Sequence, residues 1–234
     1  MPVGGDGLTP VDGLVRAAAF FPVVGFGIGG ISWAIMEAAG VSLGQSAGAA
    51  LVLLWMLLVT GGLHLDGLAD TVDGIAGGRT RKRRLEIMRS GSSGPIGIAA
   101  VVGLLLLKYS LIAGADESKL WAALLLAPAF ARWSIVVLAW ASAPVRREGL
   151  GYLFAGRIER MDLAFATAVV ALPAVVAVYL WGYTYLAPPA VAILSTWGGV
   201  VLFRRLLGGV TGDTLGATIE VTEAAVLAAY LFWG

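Results

Sequence analysis

Asp66, Asp70 and Asp73 stand four and seven residues apart within Gly61-Gly62-Leu63-His64-Leu65-Asp66-Gly67-Leu68-Ala69-Asp70-Thr71-Val72-Asp73-Gly74. On a helix, at about 100° per residue, this spacing gathers the three carboxylates within roughly 60° of one face, with successive Cβ atoms about 5–6 Å apart. The stretch lies directly behind an apolar run long enough to cross a bilayer, where desolvation makes each unpaired charge expensive. A bound divalent cation relieves the crowding. Hard oxygen ligands select Mg²⁺ or Mn²⁺, and two such ions can clamp the attacking and leaving oxygens of a phosphoryl transfer. All three aspartates are therefore candidate catalytic and metal-binding residues. The competing reading is a solvated helix end, or carboxylates paired with the basic loop that follows. Gly67 and Gly74 thin the helix, so that a bulky ligand or another helix can approach. His64, about 160° round from Asp66, reads as a hydrogen-bonded interfacial histidine rather than a ligand.

Arg79, Arg81, Lys82, Arg83, Arg84 and Arg89 come next along the chain. Guanidinium groups bind phosphate oxygens bidentately, and the glycines at 77, 78, 91, 94 and 97 would let backbone N–H groups close on the same anion. Ordinary positive-inside topology accounts for part of this charge. A second acidic element lies near the C-terminus, where Asp213 and Glu220 share a helical face and Glu223 sits about 60° further round. Asp213 reads equally as a helix N-cap. Lys108 and Arg132 are isolated cations inside apolar runs, and each calls for a carboxylate or phosphate partner within the bundle, although Lys108 also reads as a residue snorkelling outward.

The elements that must position these groups are membrane helices. The 234 residues are 59% hydrophobic and only 13% charged, with a mean hydropathy of +0.87, well outside the range of soluble domains. There is no cysteine, which excludes disulfides and thiolate metal sites. Apolar runs of bilayer-crossing length are read at about 17–39, 44–63, 95–113, 120–142, 162–182, 185–203 and 214–233. The expectation is an all-α, polytopic integral membrane protein of about seven transmembrane helices. Residues 1–234 form a single catalytic domain, without internal repeat or soluble unit. The last span is the least secure because Glu220 and Glu223 lie inside it. Basic residues after spans two, four and six (Arg146, Arg147, Arg157 and Arg160 after span four, Arg204 and Arg205 after span six) place those loops in the cytoplasm. The N-terminus is then inside and the site lies near the cytoplasmic side of the membrane. Met1 to Pro10 is Gly-rich and lacks a basic residue, so it does not read as a cleavable signal. Gly25, Gly27, Gly29 and Gly30 on span one suit close helix packing, within the chain or in a homo-oligomer.

With these residues in view, the chain resembles the integral-membrane cobalamin synthases, the adenosylcobinamide-GDP ribazoletransferases. The resemblance covers nearly the whole chain. It rests on Gly61 to Gly74, Leu85-Glu86-Ile87-Met88-Arg89, Glu148-Gly149-Leu150-Gly151, and Gly208 to Glu223 with Thr211-Gly212-Asp213-Thr214-Leu215-Gly216-Ala217, in that order and spacing. It implies a Mg²⁺-dependent enzyme joining adenosylcobinamide-GDP to α-ribazole or its 5′-phosphate and releasing GMP, with no nucleic-acid partner. It further implies that Asp66, Asp70 and Asp73 hold the metal and that Asp213 and Glu220 complete the catalytic set. Arg79, Arg83, Arg89, Lys108, Arg132 and Arg146 would then bind substrate. Two departures stand out. Ser90-Gly91 replaces the family's usual Asp-Ser, and the amphipathic segment that commonly opens the family is not seen before the first span. Two rival readings stay open: an enzyme like the CDP-alcohol phosphotransferases, whose motif Asp66-Gly67-Leu68-Ala69-Asp70 matches only at its start, and an ion-coupled transporter with charges spread through repeated halves.

Overall fold

The computed structural model describes residues 10–233; the signal-peptide reading of the N-terminus concerns positions 1–9, outside them. A short helix, α1 (Pro10–Ala17), leads through a 3₁₀ turn into α2 (Phe21–Leu43), which carries Pro22 in its first turn where no amide partner is lost. After Gly44 comes α3 (Gln45–Thr60), and after Gly61-Gly62 comes α4 (Leu63–Gly77), the aspartate helix. Both glycines of that turn are left-handed, at φ 58° and 72°, and the two helix axes meet at 86°. The expected second span thus ends at Thr60. Its continuation is a separate helix turned across the end of the bundle.

Thr80 caps α5 (Arg81–Met88) by accepting from the Arg83 N–H at 3.2 Å. Then follow α6 (Pro95–Ala113), α7 (Glu117–Ala141), the short α8 (Gly149–Phe154), α9 (Arg160–Trp181) with a Glu159/Asp162 capping box, α10 (Ala187–Leu207) and α11 (Gly212–Trp233). Among the described residues no strand forms, and the one β-type bridge joins Pro144 to Val210. Among the described residues six helices are long and apolar enough to cross a membrane, or seven if the bent pair of α3 and α4 counts as one span. This multi-pass, all-helical membrane architecture agrees with the expected fold class. The insecure last span is a continuous helix, its two glutamates buried against cations.

Helices α7 and α11 form the centre; both are largely buried, while α6, α9 and α10 turn most of their apolar surface outward, as a lipid-facing ring requires. On α2, Gly25 and Gly29 lie against the α7 backbone, where an added Cβ would come within 2.5 Å of Ala129 Cα and of the Leu125 carbonyl oxygen respectively. Small residues here permit backbone contact within one chain. The segments carrying Arg79 to Arg89 and Arg146 to Arg160, with Arg204 and Arg205 in the last turn of α10, lie at one end of the bundle, the basic end. There α4 lies across the first turns of α6 and α11.

Candidate active site

Helix α4 crosses α11 backbone to backbone. A Cβ on Gly67 would stand 2.8 Å from the Asp213 carbonyl oxygen, so only glycine permits this approach, and Asp66 and Asp70 come within the electrostatic reach of Asp213. The reach of Gly67 and Gly74 is thus taken by protein rather than ligand: Asp213 meets the first, and Met88 with the Arg84 backbone meets the second. The start of α11 is set by Thr211 and Thr214. Thr211 Oγ1 accepts from the Thr214 N–H at 3.3 Å, and Thr214 Oγ1 accepts from the Thr211 N–H at 2.9 Å. Thr211, not Asp213, fills the N-cap role, which leaves the Asp213 carboxylate to accept from the Thr211 hydroxyl at 3.1 Å and to face Arg146 at 3.6 Å.

Arg146 is placed by two further contacts. The segments 143–145 and 210 are zipped together by Val145 N–H to the Val210 carbonyl and Val210 N–H to the Ala143 carbonyl, both 3.0 Å. Its guanidinium then donates to the Leu85 carbonyl at 3.0 Å, tying the α7–α8 loop to α5. Asp66, Arg146 and Asp213, from three separate segments, line one cavity of about 450 Å³. His64, Glu148, Tyr152 and Thr211 line it as well. None of these four was among the expected site residues. The signal that could have drawn attention to Glu148 and Thr211 was their place within the family-like blocks.

Asp70 is buried, in the field of Asp66, Asp213 and Asp73, with Arg146 as an opposing charge. Asp73 has another partner: its two carboxylate oxygens accept the Gly94 N–H at 2.5 Å and the Gly97 N–H at 2.8 Å, at the N-terminus of α6. Gly97 is required there because a Cβ would run into the same carboxylate. Among the described residues no three His, Asp or Glu side chains form a ready metal cage. That arrangement still fits Mg²⁺, which keeps several waters and commonly binds one or two carboxylates together with substrate phosphates. Asp66, Asp70 and Asp213 stand in one another's electrostatic field and carry oxygen donors only.

The arginines sort into three groups. Arg84 is structural, donating to the carbonyls of Gly78 at 2.9 Å and Leu206 at 3.1 Å. Arg83 and Arg89 are exposed and paired with Glu86 at 3.3 Å and Glu148 at 2.5 Å, contacts weak enough in water to yield to a phosphate. Arg79 is exposed at the start of the same loop.

Glu220, Lys108 and Arg132 lie elsewhere, in the bundle interior. Lys108 Nζ donates to Glu220 Oε2 at 2.7 Å and Glu223 Oε1 at 2.8 Å, while Arg132 pairs with Glu223 Oε2. All four side chains are at most 9% exposed. The isolated cations therefore have the partners their burial demanded, and Lys108 does not snorkel outward. Glu220, expected beside the aspartates, faces Lys108 instead. His64, expected to be hydrogen-bonded, lines the cavity in the field of Arg132, Glu223 and Lys108, and its buried Nδ1 has no hydrogen-bond partner among the described residues.

Compared with known families, the chain matches the one described as cobalamin-5-phosphate synthase over residues 1–231. Among curated proteins it is 38% identical over 229 residues to an adenosylcobinamide-GDP ribazoletransferase of Pseudomonas fluorescens, covering 97% of this chain and 92% of that one. The corresponding protein of Roseiflexus is 36% identical over 233 residues (95% and 82%), and that of Herpetosiphon aurantiacus 35% over 230 residues (97% and 90%). No solved structure matches the chain.

Proposed function

The chain belongs to the cobalamin-5-phosphate synthase family, and from that membership we propose that it is an adenosylcobinamide-GDP ribazoletransferase working at the cytoplasmic face of a prokaryotic inner membrane. In this reading the N-terminus is inside, because the basic end of the bundle faces the cytoplasm. The reaction joins α-ribazole, or its 5′-phosphate, to adenosylcobinamide-GDP. A ribazole hydroxyl oxygen bonds to the phosphorus that carries cobinamide, the pyrophosphate bridge to that phosphorus breaks, GMP leaves with the bridging oxygen, and the hydroxyl proton is lost.

The observation that carries this reading is the convergence of Asp66, Asp213 and Arg146 on one cavity at the basic end. Arg146, held by Leu85 and Asp213, is positioned to donate to a phosphate oxygen as charge gathers there. Arg79, Arg83 and Arg89 would take the outer phosphate oxygens, with Arg83 bordering a second depression of about 440 Å³ beside Ser90 and Ser92. Asp66, Asp70 and Asp213 would hold Mg²⁺, which when bound neutralises the pyrophosphate. Asp73 keeps α6 in register with α4 through its two amide contacts. Lys108, Arg132 and Glu220 act beneath the site as framework, since each is already occupied by a buried partner.

The test is purified protein in lipid nanodiscs given adenosylcobinamide-GDP. GMP release that requires both α-ribazole and Mg²⁺ is expected. Hydrolysis indifferent to α-ribazole, or substrate flux without GMP, would overturn the proposal.

A further inference from the structure

The lining of the cavity beside Asp66 and Asp213 divides by chemistry. Asp66, Arg146, Thr211 and Asp213, with His64, Glu148 and Tyr152, supply charge and hydrogen bonds, while Phe21, Ile135, Val136, Ala139, Phe154 and Ile219, from α2, α7, α8 and α11, present only hydrocarbon and ring surface. Phe21 and Phe154 meet edge to face with centroids 5.5 Å apart, a fixed aromatic corner. Ala139, 1% exposed, contributes the smallest side chain of this apolar set.

We propose that this apolar wall receives the benzimidazole base of the ribazole nucleoside, leaving its ribose hydroxyl among Asp66, Arg146 and Asp213; the inference rests on the ribazoletransferase reading. Size selects first. At about 450 Å³ the cavity lies low in the range of roughly 300–1,000 Å³ for small-molecule sites, enough for a nucleoside and too small for a corrinoid. Polarity selects next. Guanine carries amide and amine groups along its edge, and a hydrocarbon wall leaves each of them desolvated without a partner. A benzimidazole is a flat hydrocarbon surface with a single free ring nitrogen, which such a wall accepts without leaving an edge of donors unpaired. The GDP-linked substrate would then approach from the arginine side, with its corrinoid outside the cavity.

The experiment uses the full chain in nanodiscs and measures kcat and KM separately for the two substrates. Ala139→Leu, which fills the apolar wall, is expected to raise KM for α-ribazole by about tenfold or more while leaving KM for adenosylcobinamide-GDP unchanged. Ile135→Ala, which enlarges the wall, is expected to shift preference towards ribosides with bulkier bases than benzimidazole. Should the leucine variant fail to fold, the base preference of Ile135→Ala decides alone. A KM change confined to adenosylcobinamide-GDP, or an unmoved KM and base preference with intact wild-type turnover, overturns the subsite. Absence of GMP release from the wild-type protein instead overturns the ribazoletransferase reading on which it rests.

Discussion

Replacing Lys108 by methionine removes one charge from a closed set of four. Lys108 and Arg132 balance Glu220 and Glu223, and the side chains are 4–9% exposed, so the interior is neutral as built. Lys108→Met leaves a net charge of −1 there and takes from Glu220 its hydrogen-bond donor at 2.7 Å. Breaking a buried pair from one side costs about 3–5 kcal/mol, because the remaining charge has neither water nor partner. In a chain of this size that lowers the thermal midpoint by on the order of 10 °C. Lys108→Met combined with Glu220→Gln restores neutrality and keeps the Arg132–Glu223 pair, so most of the loss is expected to return; replacing a buried pair as a unit is often close to neutral. The assay is thermal unfolding in detergent, followed by retention of monodisperse protein, for the two single variants and the double. Equal stability of Lys108→Met and wild type would refute the framework role. So would a double variant less stable than either single one with KM for substrate raised, which would point to Lys108 as a substrate ligand.

Four further outcomes are expected. Asp66→Ala and Asp70→Ala abolish turnover with membrane insertion and unfolding midpoint preserved, because the cost falls on metal and phosphate binding; residual Mg²⁺-dependent GMP release near wild type in both would contradict this. Asp73→Ala also loses turnover, but through stability, giving up about 1–3 kcal/mol as the Gly94 and Gly97 amides lose their acceptor, which unfolding measurements would register. Gly67→Ala forces α4 from α11 at a contact of 2.8 Å and displaces Asp66 relative to Asp213, so kcat should fall about 100-fold for a shift near 1 Å, read by GMP release. Arg146→Lys, which keeps the charge but not the fork that holds both Leu85 and Asp213, should lower kcat more than it raises KM.

What could be read from the chain and what could not follow from the range of the interactions. Apolar runs bounded by glycine, proline and charge are local, and they located the membrane helices, with α6 falling on its expected residues. The aspartate helix was legible for the same reason, from a spacing of four and three. The 86° turn before it was written in Gly61-Gly62, a pair that reads as a helix terminus once the span is allowed to stop short. The division of labour among the aspartates was not legible, because it depends on residues 21 to 24 positions further on: Gly94 and Gly97 claim Asp73, and nothing in the helical wheel distinguishes it from Asp66. Glu220 and Glu223 posed the same difficulty. Their cations lie on α6 and α7, more than 90 residues away in sequence, so their charges appeared as a flaw in the last span. The helical wheel sets His64 on the far side from Asp66, yet a helix lying across a bundle end has neighbours on several sides, and the far side borders the cavity.

Asp213, Asp66 and Asp70, brought together at the Gly67 crossing, are proposed to form one Mg²⁺-dependent centre. The measurement that tests it most directly is the Mg²⁺ concentration for half-maximal GMP release by Asp213→Asn beside wild type, in nanodiscs with both substrates saturating. A rise of about tenfold or more is expected, with the unfolding midpoint unchanged. An unchanged Mg²⁺ requirement in a folded, active variant would contradict it.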